Sequence, residues 1–186
     1  KAMSLTGWQS GILTNSIHGD AAIEQTLPWR VQKALRRGIC PVVTGFQGVD
    51  IEGDITTLGR GGSDTSAVAL AAALKADSCR IYSDVAGVYT ADPRLIKDAR
   101  HIERMDLGDM LILAHSGSQL MHSKSVSMAM EEGVEPELFS SFGEDGMSRL
   151  CRMDYDSRPD YAGVTCDRER SQLTLAGKAC SPQTLR

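Results

Sequence analysis

The chain lacks any long hydrophobic run, and no stretch approaches the roughly 18 apolar residues that a membrane-spanning helix requires. It also lacks a basic excess, because 20 lysines and arginines stand against 24 acidic residues and the formal net charge is −4. No signal-peptide pattern is visible at the N-terminus. We therefore expect a protein that binds neither nucleic acid nor a membrane.

Paired cysteine motifs are also missing. The five cysteines include no Cys-x-x-Cys pair, and their odd number suits a reducing compartment, so we expect a cytoplasmic location. Cys40 and Cys79 are predicted to be small buried residues at the starts of strands. The four histidines show no ligand spacing with the cysteines, so we predict no zinc site and assign no metal ligands.

The chain does have the composition of a globular domain, with 186 residues of which 41% are hydrophobic and 24% charged. Helical and strand patterns alternate along it, which predicts an α/β fold with a mainly parallel sheet covered by helices. A polar stretch at 143–160 is predicted to be a linker, and a short β-hairpin is predicted after it. The predicted strands are 40–46 and 80–83, and the predicted helices are 26–37, 64–75, 106–114 and 123–132.

A glycine-rich turn within residues 56–70 joins the end of a strand to an alanine-rich helix. The start of a helix presents unpaired N–H groups and the positive end of the helix dipole, so it attracts anions. Gly59, Gly61 and Gly62 allow the backbone to approach a ligand closely, and Arg60 can form paired hydrogen bonds with a carboxylate or phosphate. This pattern indicates a site for a small anion.

The same turn could serve only to reverse the chain, as many short glycine-rich turns do. It contains neither the Gly-Lys-Ser/Thr of a P-loop nor the Gly-x-Gly-x-x-Gly dinucleotide signature. The density of polar side chains nevertheless exceeds what a helix cap needs, although Ser63 or Asp64 can also act as the cap. The polar residues are Arg60, Ser63, Asp64, Thr65 and Ser66.

A second polar loop, residues 83–94, follows the C-terminal end of a predicted strand, where α/β sheets bind ligands. Asp84 and Asp92 can accept hydrogen bonds from ribose hydroxyls or hold a metal–phosphate group. Tyr89 can stack or form a hydrogen bond, and Arg94 can meet phosphate charge. A solvated turn is the alternative, but two such loops at neighbouring strand ends favour a shared crevice.

Together these segments resemble the aspartate kinases of the amino-acid kinase family. The resemblance covers most of the chain and weakens after Leu138. The segments that carry it are SLTGWQ (4–9), VVTGFQG (42–48), TTLGRGGSDT (56–65) and YSDVAGVYTADPR (82–94).

The resemblance implies ATP-dependent phosphorylation of the side-chain carboxylate of L-aspartate, the first step towards lysine, threonine and methionine. Such a carboxylate is already ionised at neutral pH, so the reaction needs no general base. By the family pattern, Arg60 and Ser63 would hold the aspartate and Asp64 would organise the catalytic charges. Gly61 and Gly62 would border the transferred group.

The resemblance also implies a nucleotide site for ATP with Mg²⁺ bridging the phosphates. Ser83, Asp84, Tyr89 and Arg94 would line it, with Asp92 in the same loop. Catalysis would then come from positioning the reactants and neutralising charge on the phosphoryl group.

By the same resemblance, residues 1–142 correspond to the later part of an amino-acid kinase catalytic domain of the three-layer αβα type. Residues 161–186 correspond to the beginning of an ACT-like regulatory region. The family's Lys-x-Gly-Gly turn is not found, Gln119 stands where the family has a lysine, and Ala86 stands where it has an acidic residue. We therefore expect these residues alone to be inactive and to associate with a second copy or a partner subunit.

Two other functions remain open at this stage. A kinase-like module that binds a ligand or partner subunit without catalysis would account for Gln119 and Ala86. Another carboxylate kinase of the same superfamily, such as a glutamate kinase, is disfavoured by the TGWQ and FQG stretches.

Overall fold

A computed structural model describes residues 1–85, 87–118, 120–143, 146–167 and 172–176. The chain divides into two compact units, Lys1–Cys79 and Arg80–Arg186, which are described separately below. Among the described residues, no helix is both long enough and apolar enough to cross a membrane.

The first unit contains two small sheets and three helices among its described elements. Strands β1 and β4 pair in parallel, and a second sheet has the order β3-β2-β5-β6, in which β2 and β5 are parallel and the other pairs antiparallel. The elements are β1 (Ala2–Leu5), α1 (Gly7–Ser10), β2 (Ile12–Thr14), β3 (Ile23–Thr26), α2 (Trp29–Arg36), β4 (Cys40–Val43), β5 (Gln47–Val49), β6 (Ile55–Thr57) and α3 (Gly62–Leu74).

Helix α3 was predicted from its alanine-rich sequence, and the structure confirms it with a start two residues earlier. Small residues allow a helix to lie close to a sheet, and Ala69 and Val68 are buried in this unit. Ile12 on β2 and Leu58 after β6 are also fully buried, so the core of the unit lies around the second sheet.

Two predictions in this unit are wrong. Helix α2 begins at Trp29, with Pro28 at its N-cap, and not at Thr26 as predicted, because the residues before Pro28 form strand β3 against β2. Strand β4 does start at Cys40, but it is not buried: Cys40 is exposed and Val42 is 55% exposed. Exposed residues alternate with half-buried ones along β4, so one face of the strand is uncovered, whereas a continuous apolar run predicts that both faces are covered.

The second unit contains a four-stranded sheet with the order β10-β12-β11-β7, in which β10 and β12 are parallel and β11 and β12 antiparallel. Two antiparallel pairs, β8–β9 and β13–β14, complete its described strands. The elements are β7 (Cys79–Ser83), β8 (Val88–Tyr89), β9 (His101–Ile102), β10 (Arg104–Asp106), α4 (Leu107–His115), α5 (Ser123–Glu132), β11 (Pro136–Ser140), β12 (Met147–Cys151), a 3-10 turn (Tyr155–Ser157), β13 (Gly163–Asp167) and β14 (Gln172–Ala176).

Most predictions in this unit are confirmed. Helix α4 follows Asp106, which caps it, and α5 ends at Gly133 as predicted. Cys79 starts a strand and is buried. The predicted hairpin is present as β13 and β14, and the mixed α/β arrangement with parallel strand pairs confirms the fold class.

The linker predicted at 143–160 is not structureless. Strand β12 lies inside it, between β10 and β11, and its Ser148, Leu150 and Cys151 are buried. Acidic residues, glycine and proline on either side of this short strand dominate the composition of the stretch. Averaging the composition over residues 143–160 therefore conceals the five residues that form the strand.

Candidate functional site

The first candidate site lies at the N-terminus of helix α3. Its N-cap is Gly61, whose φ of 72° is the left-handed conformation that glycine adopts without strain, and no side chain caps the helix. The prediction that Ser63 or Asp64 acts as the cap is therefore wrong. The Thr65 N–H and Oγ1 both donate to the Gly61 carbonyl, each at 3.0 Å. The helix start is thus held by the backbone and hydroxyl of Thr65, and neither Ser63 nor Asp64 caps it.

A neighbouring turn packs against this helix start. The Ser66 hydroxyl donates to the Ser63 carbonyl at 2.8 Å and accepts the Phe46 N–H at 3.2 Å. Gly62 is buried, and a β-carbon added there would lie 2.9 Å from Phe46 Cδ2. Phe46 itself has a φ of 73°, an uncommon conformation for a non-glycine residue. The Gly45–Phe46 turn therefore fixes the position of the glycine turn before α3.

Helix α1 is attached to the same region. Thr6 and Gln9 form a capping box, in which the Gln9 N–H donates to Thr6 Oγ1 and the Thr6 N–H donates to Gln9 Oε1. Gly7 is buried so tightly against the Gln47 backbone that a β-carbon there would overlap the Gln47 carbonyl. Three of the sequence segments singled out above, at 4–9, 42–48 and 56–65, therefore meet within the first unit.

The polar side chains of the predicted anion site differ in their exposure. Arg60 and Ser63 are exposed, while Asp64 is half-buried in the first turn of α3. The Ser63 hydroxyl lies 3.5 Å from Asp64 Oδ1. Backbone N–H groups at the start of α3 and an arginine beside them form an arrangement suited to a carboxylate or phosphate.

The second candidate site is the segment 83–94, which lies in the second unit. The Ser83 hydroxyl donates to the Val85 carbonyl at 3.0 Å and accepts the Val85 N–H at 3.2 Å, which makes a tight turn at the end of β7. Asp84 is exposed beside it. The segment therefore begins with a carboxylate presented by an ordered turn.

Two other predicted residues of this segment bind each other. Arg94 donates through Nε and Nη2 to the two oxygens of Asp92, at 3.1 and 3.0 Å. The hydrogen bond that Arg94 donates to Asp92 raises the pKa of Arg94 above its ordinary value. The Arg94 side chain is nonetheless 77% exposed, so an incoming anion can reach the guanidinium.

Sequence reasoning missed two residues that contact this segment. Tyr89, predicted as a nucleotide contact, packs edge-on against His101 with the ring centres 5.4 Å apart. Ser148 on β12 accepts the Val88 N–H at 2.8 Å. Neither residue belongs to a recognisable motif, and Ser148 stands between Met147 and Arg149 in a polar stretch, so nothing in the sequence indicated it.

A group of potential metal ligands also escaped the sequence analysis. Oxygen and nitrogen atoms of His18, Asp50 and Asp54 lie within 4.8 Å of one another. The Asp50 carboxylate already accepts the N–H groups of Glu52 and Asp54, and the bond from Asp54 lowers the pKa of Asp50 below its ordinary value. Asp50 thus closes the β5–β6 hairpin.

Another ion-pair cluster stands at the start of helix α4. Asp106 caps the helix, accepts the Met153 N–H at 3.0 Å and pairs with Arg158 at 3.0 Å. Asp109 is buried, its Oδ2 has no hydrogen-bond partner among the described residues, and burial raises the pKa of its carboxyl. This cluster ties the segment after β12 to α4. Gln119 and Ala86, which differ from the family pattern, lie outside the described residues.

Comparisons with known proteins identify the family of the chain. The family model described as "Amino acid kinase family" matches residues 1–139. The aspartokinase of Geobacillus stearothermophilus is 44% identical over 178 residues, which are 95% of this chain and 44% of that protein. The aspartokinase of Corynebacterium glutamicum is 45% identical over 186 residues, which are 98% of this chain and 44% of that protein. The chain therefore spans less than half the length of these relatives.

Solved structures show the same likeness. E. coli aspartokinase III in complex with aspartate and ADP superposes with a TM-score of 0.79 at 27% identity, covering 89% of this chain and 38% of that one. Aspartate kinase from Synechocystis superposes with a TM-score of 0.67 at 41% identity, covering 82% of this chain and 24% of that one. These superpositions confirm the α/β fold predicted from the sequence.

Proposed function

The chain belongs to the amino acid kinase family, and we propose that it is part of an aspartate kinase, which transfers the γ-phosphoryl group of ATP to the side-chain carboxylate of L-aspartate. Relatives of similar sequence along nearly the whole chain are aspartokinases. This activity would place the protein in amino-acid biosynthesis, including that of lysine, and in the cytoplasm.

The observation that carries the proposal is the N-terminus of helix α3. Gly61 is the N-cap in a left-handed conformation, Gly62 is buried against Phe46, and Arg60 is exposed beside them. Such a helix start offers backbone N–H groups and positive dipole to an anion. Arg60 and Ser63 would bind the aspartate, with Gly61 and Gly62 bordering the group transferred.

The chemistry of acyl phosphate formation matches these residues. The carboxylate of aspartate is a nucleophile as it stands, so no side chain has to remove a proton. The protein must instead hold the carboxylate in line with the phosphorus and stabilise charge on the moving group. Arg60 would hold the substrate, and Asp64, in the first turn of α3, would keep the surrounding charges in place.

We further propose that the segment 83–94 binds the nucleotide. Exposed Asp84, at the ordered turn after β7, offers the oxygen ligands that Mg²⁺ prefers, and the exposed guanidinium of Arg94 can meet phosphate charge. Ser83, Tyr89 and Asp92 would contribute the remaining contacts. Magnesium bound with ATP would neutralise charge on the phosphates. The crevice that the sequence predicts for both loops stays a prediction.

One sequence feature favours a second candidate function. Gln119 cannot supply the charge of the lysine that the family places at this point, and Ala86 cannot supply that of an acidic residue. A module that binds ATP or a partner subunit without catalysis would tolerate both changes.

The test uses the native full-length protein with L-aspartate, ATP and magnesium, in the presence of hydroxylamine. The proposal predicts an aspartyl hydroxamate that requires ATP and is not replaced by a glutamyl product when glutamate is supplied. Calorimetry with ATP separates the two candidates. ATP binding without hydroxamate formation would support the non-catalytic module. The absence of both ATP binding and hydroxamate would refute both candidates.

A further inference from the structure

Ser148 is a fully buried serine whose hydroxyl makes three polar contacts. It donates to the Ile102 carbonyl at 2.6 Å, accepts the Val88 N–H at 2.8 Å and lies 3.1 Å from His101 Nε2. A hydroxyl has one hydrogen and two lone pairs. Because the hydrogen goes to Ile102, the His101 contact requires that Nε2 carries a hydrogen and donates it. The hydroxyl then uses its one hydrogen and both of its lone pairs in hydrogen bonds.

These contacts attach a small hairpin to the sheet of the second unit. Val88 and Tyr89 form β8, which pairs with His101 and Ile102 of β9. Ser148, on β12, is bonded to both strands at once. The two-stranded ribbon is too short to be stable alone, so its position depends on such anchors.

His101 connects Ser148 to Tyr89, a side chain of the proposed nucleotide segment. Its ring packs against the edge of the Tyr89 ring at 5.4 Å between centres. A β-carbon at Gly146 would lie 3.0 Å from the His101 ring, and one at Gly87 would lie 3.0 Å from Nε2 and 2.5 Å from Ser148 Oγ. The imidazole therefore occupies a close-fitting slot, held by Ser148, from which it orients Tyr89.

We propose that Ser148 and His101 are positioning residues for nucleotide binding, which fix β8 and the Tyr89 ring within the segment 83–94. This inference rests on the proposed function of that segment. Ser148 is fully buried, so its hydroxyl is not presented at the surface. Its effect on the nucleotide would pass through Val88 and through His101, whose ring meets Tyr89.

The experiment compares Ser148→Ala with Ser125→Ala in the native full-length protein. Ser125 is an equally buried serine of the same unit, but its hydroxyl donates to the carbonyl of His122, the N-cap of α5. Ser148→Ala should raise the Kd of ATP, measured by calorimetry, about five- to tenfold. The KM for aspartate should stay within about twofold of the original value, since only the nucleotide segment has moved. Ser125→Ala should change neither quantity.

A second pair of variants keeps the test decisive where Ser148→Ala does not fold. His101→Gln keeps an N–H donor for Ser148 and should bind ATP more tightly than His101→Ala, which removes both the donor and the contact with Tyr89. Folded variants at both positions that bind ATP like the unsubstituted protein would overturn the positioning role. An unsubstituted protein that does not bind ATP would refute the proposed function itself.

Discussion

At the scale of single residues, the sequence predicts the site residues that lie within a motif. It does not reveal residues elsewhere in the chain that contact the site. Arg60 and Ser63 could be selected because glycines and polar residues are adjacent in the chain. His101 and Ser148 could not, because they are 47 positions apart and come together only through β9 and β12. The cap of α3 was mispredicted for a related reason, since a glycine with positive φ replaced the usual side-chain cap.

Arg60→Ala should weaken aspartate binding in the full-length enzyme. Loss of a charge-assisted, two-bond contact with a carboxylate should raise the KM for aspartate about 10- to 100-fold, with a smaller effect on the KM for ATP. Arg37→Ala is the matched control, because Arg37 is an exposed arginine of the same unit at the end of α2. Steady-state kinetics measures both. An unchanged KM for aspartate in a folded Arg60→Ala enzyme would contradict the assignment of this residue.

Asp109→Asn should reveal the raised pKa of the buried carboxyl. Burial raises the pKa above the ordinary value of an aspartate, against the opposing effect of Arg158, so the folded state holds the proton more tightly than the unfolded state. The aspartate protein should then lose stability as the pH rises from the ordinary pKa of aspartate through the folded-state pKa. Asparagine cannot ionise, so the variant should gain relative stability over that same window.

Urea unfolding of both proteins across this pH range measures the difference in the free energy of unfolding. If the stability of Asp109→Asn relative to the unsubstituted protein falls as the pH rises, then the ion pair with Arg158 lowers the pKa of Asp109 by more than burial raises it.

At the scale of elements, the helices were predictable where the chain carries explicit end signals. Helix α5 ends at Gly133 as the pattern indicates, and α4 begins after Asp106, whose carboxylate accepts the Gly108 N–H at 2.8 Å. The start of α2 and the strand β12 were not predictable by the same means. In both cases pairing with a distant strand decided the outcome, and a local pattern does not contain that information.

Gly133→Ala tests the importance of one such end signal. Gly133 has a φ of 69°, and a β-carbon there would meet no atom within 4 Å, so the cost of the substitution is that of the backbone conformation alone. We expect a loss of about 1–2 kcal/mol in the free energy of unfolding, measured by denaturant titration. Gly133→Asn should lose less, because asparagine adopts this conformation more readily. Equal stability of all three proteins would contradict a left-handed end of α5.

At the scale of the whole molecule, the fold class was predictable because helix and strand patterns alternate, and the family because four long segments occur in order. The division into two units was not predictable from composition. Large hydrophobic side chains remain exposed in the first unit, among them Ile51 at 96% and Trp29 at 60%. Side chains like these form an association surface where they make a contiguous patch.

The 186-residue chain should therefore associate in solution. Sedimentation velocity over a range of concentrations should show a species heavier than the 20.1 kDa of one chain, and the fraction of protein in that species should increase with concentration. Replacing Ile51 by serine should weaken the association if this exposed residue takes part. A single species with the mass of one chain at every concentration would refute the prediction.

We assign aspartate to the turn before α3 and the nucleotide to the segment after β7. Amide hydrogen exchange in the native full-length protein, with L-aspartate alone and then with ATP and magnesium alone, tests both assignments. We expect aspartate to slow exchange within residues 59–66 and ATP to slow it within residues 83–94. Exchange in 59–66 that is unaffected by saturating aspartate would refute the aspartate site.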